Sequence, residues 1–275
     1  RAPFRGRARM SAGASKWDDL RVRLVSAVAM VLIGGVELWL GGHWFHFFVA
    51  LVIGIMLWEL GRMLSRANTG TAWGLGLMGG LGTLGLSYLP SVFLVPVIGA
   101  IVGMGWLVLG RGNGRKTWVT YASLVLLSGF SLIWIRDSLG LWVLLWLVSV
   151  VIASDVAGYF AGRLIGGPKF WPRFSPKKTW SGTIAGWLGA ALMGYAYAPL
   201  FKVEFGPALG MPALVALSVV VAVAAQLGDI AESAIKRRAG VKDSSSLIPG
   251  HGGFLDRFDA LISASVVVLV LGLWL

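Results

Sequence analysis

The 275-residue chain is 57% hydrophobic, only 13% charged, and carries a formal charge of +12. Soluble domains hold about 25% charged residues, so the composition excludes a water-soluble globular domain and specifies a polytopic integral membrane protein. Cysteine is absent, which excludes disulfides and thiolate metal sites.

Residues 1–23 read as a polar, Arg-rich arm, mobile and drawn to anionic headgroups. Apolar stretches close to the ~20 residues that span hydrocarbon then recur at 24–42, 44–64, 71–90, 92–110, 118–135, 139–165, 180–201, 208–235 and 255–275. Backbone polar groups in lipid must be satisfied within the segment, and there is no alternating strand pattern. The expectation is therefore an all-α bundle of about nine transmembrane helices. Glycine is dense in the third stretch, and Pro96 interrupts the fourth. The first apolar run lacks a small-residue cleavage site, so it reads as a retained span.

Residues 24–135 carry few ionisable groups and read as a transmembrane scaffold. Glu37 has no evident partner, and Glu59, one turn before Arg62, reads as half of a local pair on the helix surface. Gly74, Gly76, Gly79, Gly80, Gly82 and Gly85 permit close helix approach. Residues 136–275 differ, with charged and Gly/Pro-rich elements at helix ends and in loops, and read as the catalytic region.

With nine spans and the N-terminus inside, Arg62 and Arg66, Arg111 to Lys116, Arg163 to Lys178, and Lys236 to Lys242 all face the cytoplasm. The opposite connections hold Arg136 and Lys202. This asymmetry obeys the positive-inside rule, so the basic charge is topological and nucleic acid is not an expected partner. The implied location is a bacterial-type inner membrane with the site facing the cytoplasm.

Four constellations carry candidate chemistry. Asp229, Glu232, Ser233 and Lys236 follow the i, i+3, i+4, i+7 spacing and share one helical face. A carboxylate such as Asp229, roughly 10 Å inside the basic helix end, needs a cation, a hydrogen-bond network or a metal. The plainer reading is a Glu232–Lys236 pair beside an unrelated Asp. Asp256 and Asp259 share a face at the start of the last span, where carboxylates also complement the helix dipole. Together with Asp229 they form a candidate hard-cation site, because Mg²⁺ is held by one or two carboxylates plus substrate phosphates.

The third constellation is Pro249-Gly250-His251-Gly252-Gly253, a turn whose amides could cradle an anion ahead of a helix. The fourth runs from Asp155 and Tyr159, one turn apart, to Ser175, Lys177 and Lys178, in the right place to bind phosphates at a membrane surface. Packing glycines and topological lysines explain that segment almost as well. The inventory as a whole suits phosphoryl or nucleotidyl transfer to a lipid phosphate.

From Ser233 to Asp259 the chain closely resembles the signature of the phosphatidate cytidylyltransferases (CDP-diacylglycerol synthases). The resemblance runs through Ser233, Lys236-Arg237, Lys242-Asp243, Pro249-Gly250-His251-Gly252-Gly253 and Asp256-Arg257-Phe258-Asp259. Asp155, Tyr159, Gly162 and Ser175-Pro-Lys-Lys-Thr-Trp180 are similar to the family's upstream motifs. Ser181 stands where the family often has Glu, and Ser244-Ser245 where Phe-Gly is common.

The resemblance implies that CTP and phosphatidate give CDP-diacylglycerol and pyrophosphate with Mg²⁺, and that a second, monovalent cation such as K⁺ takes part. It implies Asp229 and Asp256 as metal ligands, with Glu232 and Asp259 as alternatives. Lys177, Lys178, Lys236, Arg237, Lys242 and Arg257 become candidates for the triphosphate and the lipid phosphate. Ser175, Ser233, Gly250, His251, Gly252 and Gly253 join them in substrate binding.

A polyprenol kinase or a synthase using another lipid phosphate is the near alternative. A transporter would place its carboxylates near mid-membrane, whereas here they cluster towards one face, and no internal repeat supports it. A CDP-alcohol phosphotransferase would need a helix-pair motif that this chain lacks. Glycine-dense helices are compatible with a homodimer.

Overall fold

The computed structural model describes residues 16–65, 69–109, 112–205 and 210–273. Among them lie nine α-helices, each overlapping one of the nine apolar stretches. They are α1 (Lys16–Leu40), α2 (Gly42–Ser65), α3 (Thr69–Leu86), α4 (Leu94–Val108), α5 (Asn113–Trp134), α6 (Leu141–Leu164), α7 (Trp180–Phe205), α8 (Met211–Ala239) and α9 (Leu255–Gly272). All but α3 and α9 are long and apolar enough to cross a membrane, which makes this an integral membrane protein. Glycine dilutes the hydropathy of α3, and Asp256, Arg257 and Asp259 load the start of α9 with charge.

Helix α1 begins at Lys16, inside the stretch expected to be an arm, and residues 1–15 of that arm lie outside the described residues. So do Arg66 and Arg111. The segment between α6 and α7, expected as a loop, holds the two strands β1 (Lys169–Trp171) and β2 (Ser175–Thr179). They pair antiparallel, with Lys169 opposite Thr179 and Trp171 opposite Ser175. This hairpin is the only sheet among the described residues, and it projects lysines at one end of an otherwise helical bundle.

Glycine sets how closely the helices approach, as small residues do where lipid offers no hydrophobic drive between them. A Cβ added at Gly80 would stand 3.0 Å from the Ala50 carbonyl, so α2 and α3 meet backbone to backbone as the glycine run predicts. Helices α6 and α7 meet the same way, with 3.1 Å between a Cβ at Gly158 and the Gly182 carbonyl. Two buried indoles are satisfied across helices: Trp118 Nε1 donates to the Val102 carbonyl at 3.1 Å and Trp146 Nε1 to Ser218 Oγ at 2.9 Å.

Gln226 of α8 ties three helices together. It accepts from Trp187 Nε1 at 3.1 Å and donates to the Thr183 carbonyl at 3.3 Å and to Ser154 Oγ at 3.4 Å. It lies three residues before Asp229 and fixes the level at which that carboxylate leaves α8.

Candidate active site

Helix α8 ends in Lys236, Arg237 and Arg238, cations that complement the negative end of its dipole. Gly240, at φ 75°, closes it in the left-handed conformation that glycine adopts without strain. Its amide donates to the Arg237 carbonyl at 3.2 Å, and Val241 N donates to the Lys236 carbonyl at 3.0 Å. The chain therefore turns sharply after the basic turn and runs back over it.

The one-face spacing on α8 resolves into two local links. Ser233 Oγ donates to Asp229 Oδ1 at 3.3 Å, and Lys236 Nζ lies 2.5 Å from Glu232 Oε2. The plainer reading of Glu232 with Lys236 is thus correct but incomplete, because Lys236 Nζ also donates to Asp256 Oδ1 at 2.5 Å. Lys236 bridges α8 to α9. Asp229 is not a bystander either: its Oδ2 meets Lys178 Nζ from β2 at 2.6 Å.

The returning loop is built around Asp256. Asp256 Oδ2 accepts from Ser244 N, Ser244 Oγ and Gly253 N, each at 2.8 Å. The Pro249–Gly253 turn is closed by Ile248 N donating to the Gly252 carbonyl at 2.8 Å and His251 N to the Ile248 carbonyl at 2.9 Å. Arg257 clamps the turn from α9, donating from Nε and Nη2 to the His251 carbonyl at 3.0 and 2.7 Å. From α1, Ser26 Oγ lies 2.8 Å from His251 Nδ1 and 3.0 Å from the Pro249 carbonyl.

Beside this framework opens a cavity of about 200 Å³. Its lining combines Phe174, Ser175, Pro176 and Lys177 of the hairpin with Ser233, Lys236 and Arg237 of α8 and with Lys242 and Asp243 of the loop. Six residues singled out from sequence converge there: Ser175, Lys177, Ser233, Lys236, Arg237 and Lys242. Four of them are cations. That density suits a polyphosphate, since positioned cations stabilise charge on transferring phosphoryl groups.

Other candidates lie elsewhere. Lys178 is committed to Asp229 and donates to the Gln226 carbonyl at 3.3 Å. Gly250, His251, Gly252, Gly253 and Arg257 build the turn rather than line the cavity. Asp155 stands within electrostatic range of Asp229 and Lys178. Tyr159 faces outward and accepts from Arg163 Nη1 at 2.8 Å. Ser181 Oγ donates to the Gly166 carbonyl at 2.5 Å and bonds Thr179 Oγ1 at 3.0 Å, holding the base of the hairpin.

One expectation is overturned. Glu59 is completely buried, not paired on the helix surface with Arg62, whose guanidinium instead lies over the Trp58 ring at 4.8 Å. Glu59 Oε1 accepts from Ser245 Oγ at 2.5 Å and Phe254 N at 3.0 Å, and Oε2 from Leu255 N at 2.7 Å and Ser244 Oγ at 3.1 Å. The sequence signal was only an acidic residue in an apolar helix, without anything to say which loop it meets. Phe174, the aromatic group of the cavity, was likewise not singled out.

The residues can be tested against the divalent cation that the resemblance implies. Glu232 Oε1 is buried without a hydrogen-bond partner among the described residues, which is the condition of a ligand oxygen in want of a cation. Asp259 stands within electrostatic range of both Asp229 and Glu232. Among the described residues no three carboxylate or imidazole groups are close enough to hold a metal alone. Asp229, Glu232 and Asp259 are oxygen donors of the kind that hold Mg²⁺ where one or two carboxylates are completed by phosphate oxygens. Asp256 fits least well, because its four donors already occupy it.

Residues 21–274 match the sequence pattern of the cytidylyltransferase family. The phosphatidate cytidylyltransferase of Brucella suis is 35% identical over 273 residues, covering 93% of this chain and 94% of the relative. Shorter matches include the enzymes of the same name from Haemophilus influenzae, 41% identical over 46% of this chain and 43% of the relative, and Staphylococcus haemolyticus, 40% identical over 49% and 50%. The cation-lined cavity beside buried carboxylates thus lies in a chain that belongs to the cytidylyltransferase family, among the phosphatidate cytidylyltransferases.

Proposed function

We propose that the protein transfers the cytidylyl group of CTP to phosphatidate, giving CDP-diacylglycerol and pyrophosphate, at the cytoplasmic face of an inner membrane. The observation that carries this reading is the convergence of Lys177, Lys236, Arg237 and Lys242 on one cavity between the hairpin and the end of α8. A lipid phosphate oxygen attacks the α-phosphorus of CTP, and the bond from that phosphorus to the bridging oxygen of the β-phosphate breaks. The nucleophile is already ionised near neutral pH, the second phosphate pKa being about 6, so no strong base is required. The work left to the protein is bringing two polyanions together.

The four cavity cations screen that repulsion and face the charge that collects on departing pyrophosphate. Lys236, held between Glu232 and Asp256, presents its charge in a fixed place. Phe174 offers an aromatic face on which the cytosine ring stacks. Mg²⁺ would be held by Asp229 and Glu232, with Asp259 beside them, and it would supply Lewis-acid neutralisation of the phosphates, while Asp256, implied as a ligand by the resemblance, instead holds Lys236 and the loop.

The test is purified protein in detergent with phosphatidate, Mg²⁺ and each of CTP, ATP, GTP and UTP, following pyrophosphate and nucleotide-lipid. CTP-selective product that disappears in Asp256→Asn is expected. Folded protein that makes no product with phosphatidate would reject this reading and favour another lipid phosphate or a kinase.

A further inference from the structure

Glu59 belongs to the half of the chain that looks like plain scaffold, yet it is 0% exposed and meets the signature loop. A buried carboxylate needs pairing or full hydrogen bonding. No ion pair to it exists among the described residues, and its compensation is instead three full donors, Ser245 Oγ, Phe254 N and Leu255 N, with a share of the Ser244 proton. The two backbone amides lie at the start of α9, where a negative charge is favoured by the helix dipole. Gly253 completes the enclosure, since a Cβ there would be driven into Glu59 and Ser244.

The contacts continue beyond Glu59. Ser244 Oγ stands 3.1 Å from Glu59 Oε2 and 2.8 Å from Asp256 Oδ2, so its single proton is shared between the two carboxylates, with Asp256 the nearer. Asp256 Oδ1 accepts from Lys236 Nζ, and Lys236 lines the cavity. An unbroken polar path therefore joins α2 to a cavity cation through Ser244 and Asp256. The two serines are, with Ser181, positions where this chain departs from the pattern it resembles, and both hydroxyls reach Glu59.

We infer that Glu59 is a positioning residue: with Ser244 and Ser245 it fixes the loop 243–255, and through it the orientation of Asp256 and Lys236. It does not touch the cavity and acts only through these groups. The inference rests on the cytidylyl-transfer reading for its kinetic consequence, and on geometry alone for the rest.

The experiment compares wild type, Glu59→Gln, Ser245→Ala and Ser244→Ala/Ser245→Ala, with and without Glu59→Gln, as full-length protein in detergent. Two readouts are taken: amide hydrogen exchange and steady-state kinetics. In Glu59→Gln, exchange rises about tenfold or more in peptides covering 244–255, while α2 and the rest of α9 stay protected. kcat falls about 10- to 100-fold, the usual loss when a supporting hydrogen-bond partner is removed, with KM for CTP changing less than about threefold. Adding Glu59→Gln to the serine double variant lowers kcat by less than about threefold more, because the effects share one path.

Protection lost evenly across all helices, unchanged exchange at 244–255, or kinetic effects that multiply would each overturn the assignment. If Glu59→Gln does not fold, Ser245→Ala decides. Faster loop exchange with a smaller kcat loss supports the role, and wild-type behaviour rejects it. A wild-type protein without cytidylyl transfer would fail the functional reading, but the exchange experiment would still judge Glu59.

Discussion

Lys236 offers the sharpest energetic test, because its ammonium is shared by two buried carboxylates. Its Nζ is 2.5 Å from Glu232 Oε2 and 2.5 Å from Asp256 Oδ1, with side-chain exposures of 14%, 0% and 5% respectively. Lys236→Met keeps most of the aliphatic stem and removes the charge. Breaking a buried pair from one side costs about 3–5 kcal/mol, since a charge is left uncompensated. The two partners are not equally exposed to that loss. Asp256 retains Ser244 N, Ser244 Oγ and Gly253 N, whereas Glu232 keeps no hydrogen-bond partner among the described residues.

The cost therefore falls chiefly on Glu232, and Glu232→Gln in the same background should relieve it. The double variant is expected to be about 2 kcal/mol more stable than the sum of the single losses, within the range for directly coupled residues. Unfolding midpoints of the four proteins in one detergent measure this cycle. Activity separates from stability: Lys236→Met should lower cytidylyl transfer about 10²- to 10³-fold, the scale for losing one positioned charge-stabilising group. Glu232→Gln should not restore it. Additive stabilities would refute the shared-ammonium account, and activity recovered with stability would refute a direct role for Lys236 at the phosphates.

Two further outcomes follow from the geometry. Phe174→Ala should raise KM for CTP about tenfold with kcat nearly unchanged, since stacking on an aromatic is worth about 1–3 kcal/mol per base; equal KM values for the two proteins would remove Phe174 from base recognition. Gly228→Ala should destabilise by about 1–3 kcal/mol through overpacking, because its Cβ would lie 2.6 Å from the Asp259 carbonyl and 2.7 Å from Ser263 Oγ. An unchanged unfolding midpoint would mean that α8 and α9 are not in the close contact described.

What the sequence made legible was local. Asp229, Glu232, Ser233 and Lys236 share a face because the helix period places them there, and the gapped signature around Pro249–Asp259 identifies its own loop. Among the described residues each apolar stretch overlaps a helix because hydropathy is read within a segment, and only at α3 and α9 do glycine and charge blur it. Contacts between distant segments leave no such trace. The partners of Glu59 lie 185 to 196 positions away, so proximity to Arg62 suggested a pair that does not form. Lys178 shows the same limit: adjacent to Lys177 in sequence, it alternates to the other side of β2 and meets Asp229. The hairpin itself was missed because its strands are three and five residues long and contain Pro176.

The carboxylate of Glu59 also bears on how this chain can be divided. Residues 24–135 and 136–275 differ in character, and a seam near 135 looks like a natural place to exchange halves between relatives. The hydrogen bonds from Ser244 and Ser245 cross that seam and end on a group with no water around it. A chimera that imports the second half with apolar residues at 244 and 245 leaves the carboxylate only the amides of residues 254 and 255, and one that imports the first half without an acid at 59 takes from Ser245 its acceptor. The two halves are not interchangeable parts, and residues 59, 244 and 245 must be inherited as a set.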